Sequence, residues 1–191
     1  MSSAQITGLS EEDYLKQERA AERKSEYVQG EVFLMAGASP EHVLIVTNLV
    51  GELRQQLRRG PCKVYSTDLR LRVACAGLYT YPDVMVICGS PAFMDERRDT
   101  VLNPTLIIEV LSESTKDYDR GRKFQYYRRV PSLKSYLTVA QDVIHVEQWT
   151  RQSDQHWMLA EFTIPDATIS LQDVDARLKL ADVYEGIGLT S

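Results

Sequence analysis

The chain has 191 residues, which is enough for one sizeable hydrophobic core and too few for several large domains. Its 43% hydrophobic and 26% charged residues are typical of a globular domain and exclude a wholly disordered chain, a collagen-like repeat and a disulfide scaffold. The 22 basic and 27 acidic residues give a net charge of −5, so a nucleic-acid partner would need a local basic patch.

The N-terminal helix, hairpin and long helix are predicted from local patterns. The segment SEEDYLKQERA begins with Ser10, a typical helix N-cap, and predicts a short helix. The segment EYVQGEVFLMA predicts a hairpin with Gln-Gly at its turn. Ser39 and Pro40 begin a second helix that extends to about Arg59. Its apolar stripe, expected to pack on a sheet, is Val43, Val46, Val50, Leu53 and Leu57.

The rest of the chain predicts strands and two further helices. The segment from Lys63 to Val73 is extended, and YPDVMVIC and TLIIEVLS are typical of strands covered on both faces. A helix is predicted from about Lys116 to Arg129, because Pro131 follows. Later strands are predicted at 135–139, 143–149 and 157–162, and a last helix at 174–184. We therefore expect a single α+β or α/β domain over residues 1–191, built around a mixed sheet.

The N-terminus and the cysteines indicate a cytoplasmic protein. MSSAQITGLSEED has neither the basic nor the apolar region of a secretory signal, and no apolar run approaches the roughly 20 residues of a membrane-spanning helix. Cys62, Cys75 and Cys88 form no CxxC pair and cannot all be bridged, so we expect buried, unreactive thiols. Cysteines used in this way suit a reducing cytoplasm.

Each of the two apolar strands contains an acid. Asp83 follows Pro82 where the first strand begins, and Glu109 lies inside TLIIEVLS. A buried carboxylate is costly unless a cation pairs with it or a metal binds it, so Glu109 is a candidate site residue. The alternatives are a Glu that points to water at a sheet edge and an Asp that only forms a turn. Two acids on neighbouring strands of a central sheet favour a shared site.

Lys123 lies on the predicted helix after the Glu109 strand and can complete the site. An ion pair with Asp119, four residues earlier, explains Lys123 equally well. Two carboxylates and an ammonium are nevertheless what metal-assisted phosphodiester hydrolysis requires. Hard carboxylate oxygens hold Mg²⁺, and the lysine stabilises charge or positions the attacking water.

Three more residues are candidates for supporting roles. Glu31 opens a strand and offers an additional acid. His42 lies on the inward face of the long helix, where an ordinary hydrogen-bonded core histidine is the alternative. Asp68 is either a metal ligand or a turn acid. With three histidines and scattered cysteines, we expect no zinc site.

Several segments, in their order along the chain, resemble the Uma family of restriction-endonuclease-like proteins. That family is found especially in cyanobacterial genomes and belongs to the PD-(D/E)XK nuclease superfamily. The resemblance covers most of the chain, from about Lys24 to Tyr184, and is most specific in YPDVMVIC, NPTLIIEVLSEST and YDRGRKFQYYRR. It implies a restriction-endonuclease-like core, a mixed central sheet flanked by helices, with extra C-terminal strands.

The resemblance also implies which residues form the site. Asp83 matches the aspartate of the PD motif and Glu109 matches the acid of the second strand, and the pair would hold Mg²⁺ or Mn²⁺. The position two residues after Glu109 is Leu111, so the usual E-x-K lysine is absent. The family is thought to supply this lysine from the next helix, which corresponds to Lys123.

The function implied is a metal-dependent endonuclease that hydrolyses phosphodiester bonds of DNA. A homodimer is expected with it, because cutting both strands of a duplex needs two sites. The alternative is a non-catalytic nucleic-acid-binding or regulatory module that retains the nuclease fold. The missing E-x-K lysine and the acidic net charge favour that alternative.

Overall fold

The computed structural model describes residues 6–112 and 119–188. Its helices are α1 (Glu11–Glu18), α2 (Pro40–Leu57), α3 (Phe124–Tyr127) and α4 (Leu180–Val183), with a π-helical turn, Asp119–Lys123, directly before α3. The first eight strands are β1 (Ser25–Val28), β2 (Glu31–Leu34), β3 (Cys62–Ser66), β4 (Arg70–Val73), β5 (Leu78–Thr80), β6 (Val84–Cys88), β7 (Thr100–Val101) and β8 (Leu106–Leu111). The last five are β9 (Ser135–Ala140), β10 (Val146–Arg151), β11 (Trp157–Phe162), β12 (Thr168–Leu171) and β13 (Ala176–Lys179).

The strands form two mixed sheets and a separate hairpin. The six-stranded sheet has the order β11-β10-β9-β8-β6-β3, in which β8 and β9 are parallel and the other neighbours antiparallel. The five-stranded sheet has the order β2-β1-β5-β4-β7, and β12 pairs with β13. The predicted mixed α+β fold is therefore confirmed. The organisation of residues 1–191 as one domain stays a prediction.

Both faces of the six-stranded sheet are buried. On one face, α2 and the C-terminal hairpin cover side chains such as Val84 and Ile108. On the other face, α3 and the five-stranded sheet cover Met85 and Ile107, with Leu71 of β4 in the same cluster. Burial on both faces explains why β6 and β8 are nearly continuous apolar segments in the sequence.

The local predictions for the first half of the chain are largely confirmed. The Ser10 and Ser39 side chains cap α1 and α2 by accepting backbone hydrogen bonds at their N-termini. Gln29 and Gly30 form the turn between β1 and β2 with φ values of 49° and 97°. The strands that carry the two predicted acids, β6 and β8, are antiparallel neighbours in the central sheet.

The buried face of α2 differs from the predicted stripe. Val43 is 54% exposed, and Val50 is only partly buried. The buried residues are Ile45, Val46, Leu49, Leu53 and Leu57. The segment VLIVTNLV holds two overlapping apolar rows, at three-then-four and at four-residue spacing, so periodicity alone could not decide between them.

Two predicted elements are only partly correct. The extended segment from Lys63 to Val73 contains β3 and β4, which lie in different sheets and are separated by a turn at Thr67. Of the helix predicted at 174–184, only α4 is helical, whereas β13 alternates buried and exposed residues and follows a turn at the left-handed residue Asp175. Of the helix predicted from Lys116, residues 116–118 lie outside the described residues.

The expectation for the cysteines is also wrong. Cys62 of β3 and Cys88 of β6 are direct cross-strand partners and form a disulfide, while Cys75 is exposed. Their sequence separation of 26 residues gives no sign of this register. Within the described part of the chain, none of the helices is both long and apolar enough to cross a bilayer.

Candidate active site

Asp83 and Glu109 lie side by side where β6 begins and β8 approaches its end. The backbone N–H of Asp83 donates to Glu109 Oε2 at 3.2 Å, and the backbone N–H of Val110 donates to Asp83 Oδ2 at 2.8 Å. The Glu109 carboxylate thus accepts a hydrogen bond from the backbone of Asp83. The Asp83 carboxylate accepts one from the backbone of Val110, which follows Glu109. The pairing of β6 with β8 is what brings the two acids together.

The ammonium of Lys123 contacts Glu109 directly. The Lys123 Nζ atom lies 3.0 Å from Glu109 Oε1, 2.9 Å from Glu26 Oε1 and 3.4 Å from Asp119 Oδ1. The Tyr127 hydroxyl donates to Glu109 Oε1 at 2.7 Å. Lys123 is the last residue of the π-helical turn, and Tyr127 is the last residue of α3. These two short elements therefore place both side chains against Glu109 of β8.

His42 reaches the site from the opposite face of the sheet. It lies in the first turn of α2, which Ser39 caps, and its Nε2 atom lies 3.1 Å from Asp83 Oδ1. Burial lowers the pKa of His42, but the hydrogen bond and the charge of Asp83 outweigh burial and raise that pKa above its ordinary value. His42 therefore contacts Asp83 Oδ1. The same hydrogen bond is what the core-histidine alternative requires and what a supporting role beside Asp83 requires.

The site carries more negative than positive charge. Glu109 is 3% exposed, and burial raises its pKa to about 8 against the attraction of Lys123, with the charge of Asp83 adding to the rise. Burial lowers the pKa of Lys123, but the carboxylates of Glu109 and Glu26 outweigh burial and keep that pKa well above its ordinary value. One ammonium thus faces several carboxylates, which is an arrangement that favours an additional cation or proton.

The donor set fits a hard divalent cation. Asp83 and Glu109 offer carboxylate oxygens, which are the ligands that Mg²⁺ and Mn²⁺ prefer. Asp83 Oδ2 and Glu109 Oε2 each accept one backbone hydrogen bond and keep a further lone pair, whereas Glu109 Oε1 already contacts Tyr127 and Lys123. Because burial raises the pKa of Glu109, a cation bound there would displace a proton.

The structure places Glu31 and Asp68 away from these contacts. Glu31 is exposed at the start of β2, beside the hairpin turn. Asp68 is 88% exposed in the turn before β4 and forms an ion pair with Lys24 at 2.9 Å. Among the interactions of the described residues, those of Asp68 belong to a turn acid and not to the cluster around Glu109.

Sequence reasoning did not assign Glu26 or Tyr127 to the site, and it gave Asp119 only as an ion-pair partner of Lys123. Glu26 and Glu31 lie on the same face of the hairpin, because Glu26 pairs with Phe33 and Val28 pairs with Glu31. Of these two acids, Glu26 lies further from the turn and is buried. The Thr80 hydroxyl donates a hydrogen bond to its carboxylate. An acid in the short buried strand β1 was the available signal, of the same kind that identified Glu109.

The fold is that of a nuclease-like protein with a mixed sheet. A crystal structure of "a putative nuclease belonging to DUF820" from Anabaena variabilis superposes with a TM-score of 0.76 at 18% identity, over 92% of this chain and 97% of that chain. This similarity concerns the fold. Residues 11–181 match the family model Uma2, "Putative restriction endonuclease", so the chain belongs to the Uma2 family.

Two relatives from Synechocystis sp. are similar over most of their length. "Uncharacterized protein sll1609" is 38% identical over 161 residues, which are 84% of this chain and 91% of that protein. "Uncharacterized protein slr1290" is 31% identical over 187 residues, which are 97% of this chain and 96% of that protein. The family resemblance of the sequence motifs is confirmed by the family match over residues 11–181.

Proposed function

We propose that this protein is a divalent-metal-dependent endonuclease that hydrolyses phosphodiester bonds of DNA. The observation that carries the proposal is the contact of the Lys123 ammonium with Glu109, which itself accepts a hydrogen bond from the backbone of Asp83. The carboxylates of Asp83 and Glu109 and the ammonium of Lys123 therefore lie in one cluster, although Leu111 occupies the position of the E-x-K lysine. Membership of a family described as "Putative restriction endonuclease" supports the same assignment.

In this proposal Asp83 and Glu109 hold Mg²⁺ or Mn²⁺. When bound, such an ion lowers the pKa of a water molecule and neutralises charge that develops on the phosphoryl group. The carboxylates must be ionised for this role, and the ammonium of Lys123 favours the ionised form of Glu109. His42 orients Asp83 by its contact with Oδ1.

Lys123 and Tyr127 orient Glu109. Lys123 supplies a positive charge beside this acid, and Tyr127 supplies a hydrogen-bond donor. Hydrolysis joins a water oxygen to phosphorus and breaks one P–O bond, so negative charge grows on the phosphoryl oxygens and on the leaving oxygen. An ammonium held by Glu26 and Glu109 is fixed before the reaction and needs no rearrangement to meet this charge. Burial keeps the pKa of Tyr127 well above its ordinary value, so its hydroxyl remains a donor.

A non-catalytic module with a nuclease fold is the second candidate. The observation that favours it is the burial of Lys123, which is 7% exposed and already pairs with Glu26 and Glu109. A closed ion-pair cluster can be a structural feature alone. DNA binding without cleavage would distinguish this candidate from the proposed enzyme.

We expect the protein to relax supercoiled plasmid DNA in the presence of Mg²⁺ or Mn²⁺ and to lose this activity in EDTA. Asp83→Asn should reduce the rate by at least about 100-fold, since it removes a ligand charge at the site of developing charge while nearly keeping the side-chain shape. The matched control is Asp166→Asn, at an exposed turn, which should retain the parent rate. Equal cleavage by the parent and by Asp83→Asn would refute the site.

A homodimer is part of the proposal, because two sites are needed to cut both strands of a duplex. Light scattering at micromolar concentration should give a mass of twice the 21.7 kDa of one chain. A mass of one chain under these conditions would contradict the dimer. A cytoplasmic location also stays a prediction, and the disulfide between Cys62 and Cys88 removes the cysteine argument for it.

A further inference from the structure

A second group of potential metal ligands lies on the hairpin formed by β10 and β11. One ligand atom from each of His145, Glu147 and Glu161 lies within 4.8 Å of the other two. The His145 Nε2 atom is 3.1 Å from Glu161 Oε1, and the Thr138 hydroxyl donates to Glu147 Oε2 at 3.1 Å. The ligand atoms of these three side chains are therefore close enough to contact one ion.

The register of the sheet explains why these side chains converge. Glu147 and Glu161 are direct partners across the antiparallel pair of β10 and β11, so their side chains share one face. His145 precedes Glu147 by two residues and points to that face as well. The backbone N–H of Ala140 donates to the His145 carbonyl at 3.0 Å, which fixes the residue at the end of the hairpin between β9 and β10.

Two opposed carboxylates are unfavourable on the surface of a sheet unless a positive charge accompanies them. Like charges directly across an antiparallel pair destabilise it. His145 approaches one of the two carboxylates, Glu161, and so offers an imidazole nitrogen next to both acids. A cation shared by all three side chains would relieve the repulsion and join the edge strand β11 to β10.

This cluster is distinct from the candidate active site but lies in the same row of the sheet. Glu109 pairs with Thr138, Thr138 pairs with Glu147, and Glu147 pairs with Glu161. Glu147 is therefore two strands away from Glu109, at roughly 10 Å by ordinary strand spacing. The three ligand atoms that converge in this cluster include none from Asp83 or Glu109.

We propose that His145, Glu147 and Glu161 bind a divalent transition-metal ion, Zn²⁺ in the first place. One imidazole nitrogen and two carboxylate oxygens suit Zn²⁺, with water in the remaining position. Imidazole is not a ligand that Mg²⁺ or Ca²⁺ selects, so this site should differ in metal preference from Asp83 and Glu109. The sequence-based expectation of no zinc site rests on the number of histidines and cysteines. It does not include the strand register, which brings one histidine next to two acids.

The test is calorimetric titration of the full-length, metal-free protein with Zn²⁺. Asp83→Asn serves as the background, so that the candidate active site contributes as little as possible. We expect one Zn²⁺ per chain, and His145→Ala or Glu161→Gln should each weaken binding by at least about tenfold. Mg²⁺ should not compete with Zn²⁺ at equal concentration.

His156→Ala is the matched control, because His156 is an exposed histidine in the loop of the same hairpin, where its Nδ1 atom contacts Ser153. This variant should bind Zn²⁺ as the background protein does, and equal melting temperatures should show that all variants are folded. Absence of Zn²⁺ binding, or binding that His145→Ala leaves unchanged, would overturn the site. None of these outcomes depends on DNA cleavage.

Discussion

Replacing Lys123 with methionine is expected to lower the free energy of unfolding at pH 9, where Glu109 is ionised, by about 3–5 kcal/mol. Methionine keeps the aliphatic stem but removes the cation that contacts Glu109 at 3.0 Å and Glu26 at 2.9 Å. The two carboxylates would then remain buried without their common partner. Removing one member of a buried ion pair costs far more than the pair contributes, because the charge left behind is not solvated.

Urea unfolding followed by circular dichroism measures this loss. The control is Lys24→Met, which breaks a pair with the exposed Asp68 and should cost at most about 1 kcal/mol. The loss from Lys123→Met should shrink at pH 5, because burial raises the pKa of Glu109 to about 8 and this acid is then protonated. Adding Glu26→Gln and Glu109→Gln to Lys123→Met should restore part of the stability. Equal losses for Lys123→Met and Lys24→Met would contradict the role given to Lys123.

The sequence was sufficient to find the acids and the strands that carry them. An acid inside an uninterrupted apolar strand is a strong signal, because burial is costly without a partner. The patterns of β6 and β8 reflect burial on both faces, and the structure places these strands side by side. Helix caps and a two-residue turn are equally local and were equally accessible from the sequence.

The partners of these acids depend on contacts between distant segments. The sequence predicts that Lys123 pairs with Asp119 or completes the site of the two acids, whereas in the structure it also contacts Glu26, nearly a hundred positions earlier in the chain. Choosing between Glu26 and Glu31 required knowing which end of the hairpin is covered. The disulfide and the His145 cluster likewise follow from cross-strand register, which depends on how the whole sheet assembles.

Divalent cations are expected to stabilise the protein, and more strongly at pH 8 than at pH 5. Burial raises the pKa of Glu109 from an ordinary 4.5 to about 8. The stability that this group contributes is therefore fully present below pH 4.5 and is lost as the pH rises through about 8. A cation held by Asp83 and Glu109 takes the place of the proton, so its effect should grow as the proton leaves.

A melting series with Mg²⁺ from pH 5 to 8 tests this expectation. At about 100 times its dissociation constant, a cation that binds only the folded protein adds about 2.7 kcal/mol. Asp83→Asn and Glu109→Gln should each weaken the effect, and Glu109→Gln should also reduce the pH dependence of the metal-free protein by up to about one proton.

Lys123→Met and Asp166→Asn should leave the Mg²⁺-dependent shift in place, because neither change removes a proposed ligand. Lys123 offsets only part of the repulsion between Asp83 and Glu109, so losing it leaves the demand for a cation intact or larger. Mg²⁺ is the appropriate probe, since the cluster of His145, Glu147 and Glu161 should prefer Zn²⁺. If the parent showed neither a Mg²⁺-dependent shift nor calorimetric binding, Asp83 and Glu109 would not form a metal site, and the DNA-binding module would become the better account of the fold.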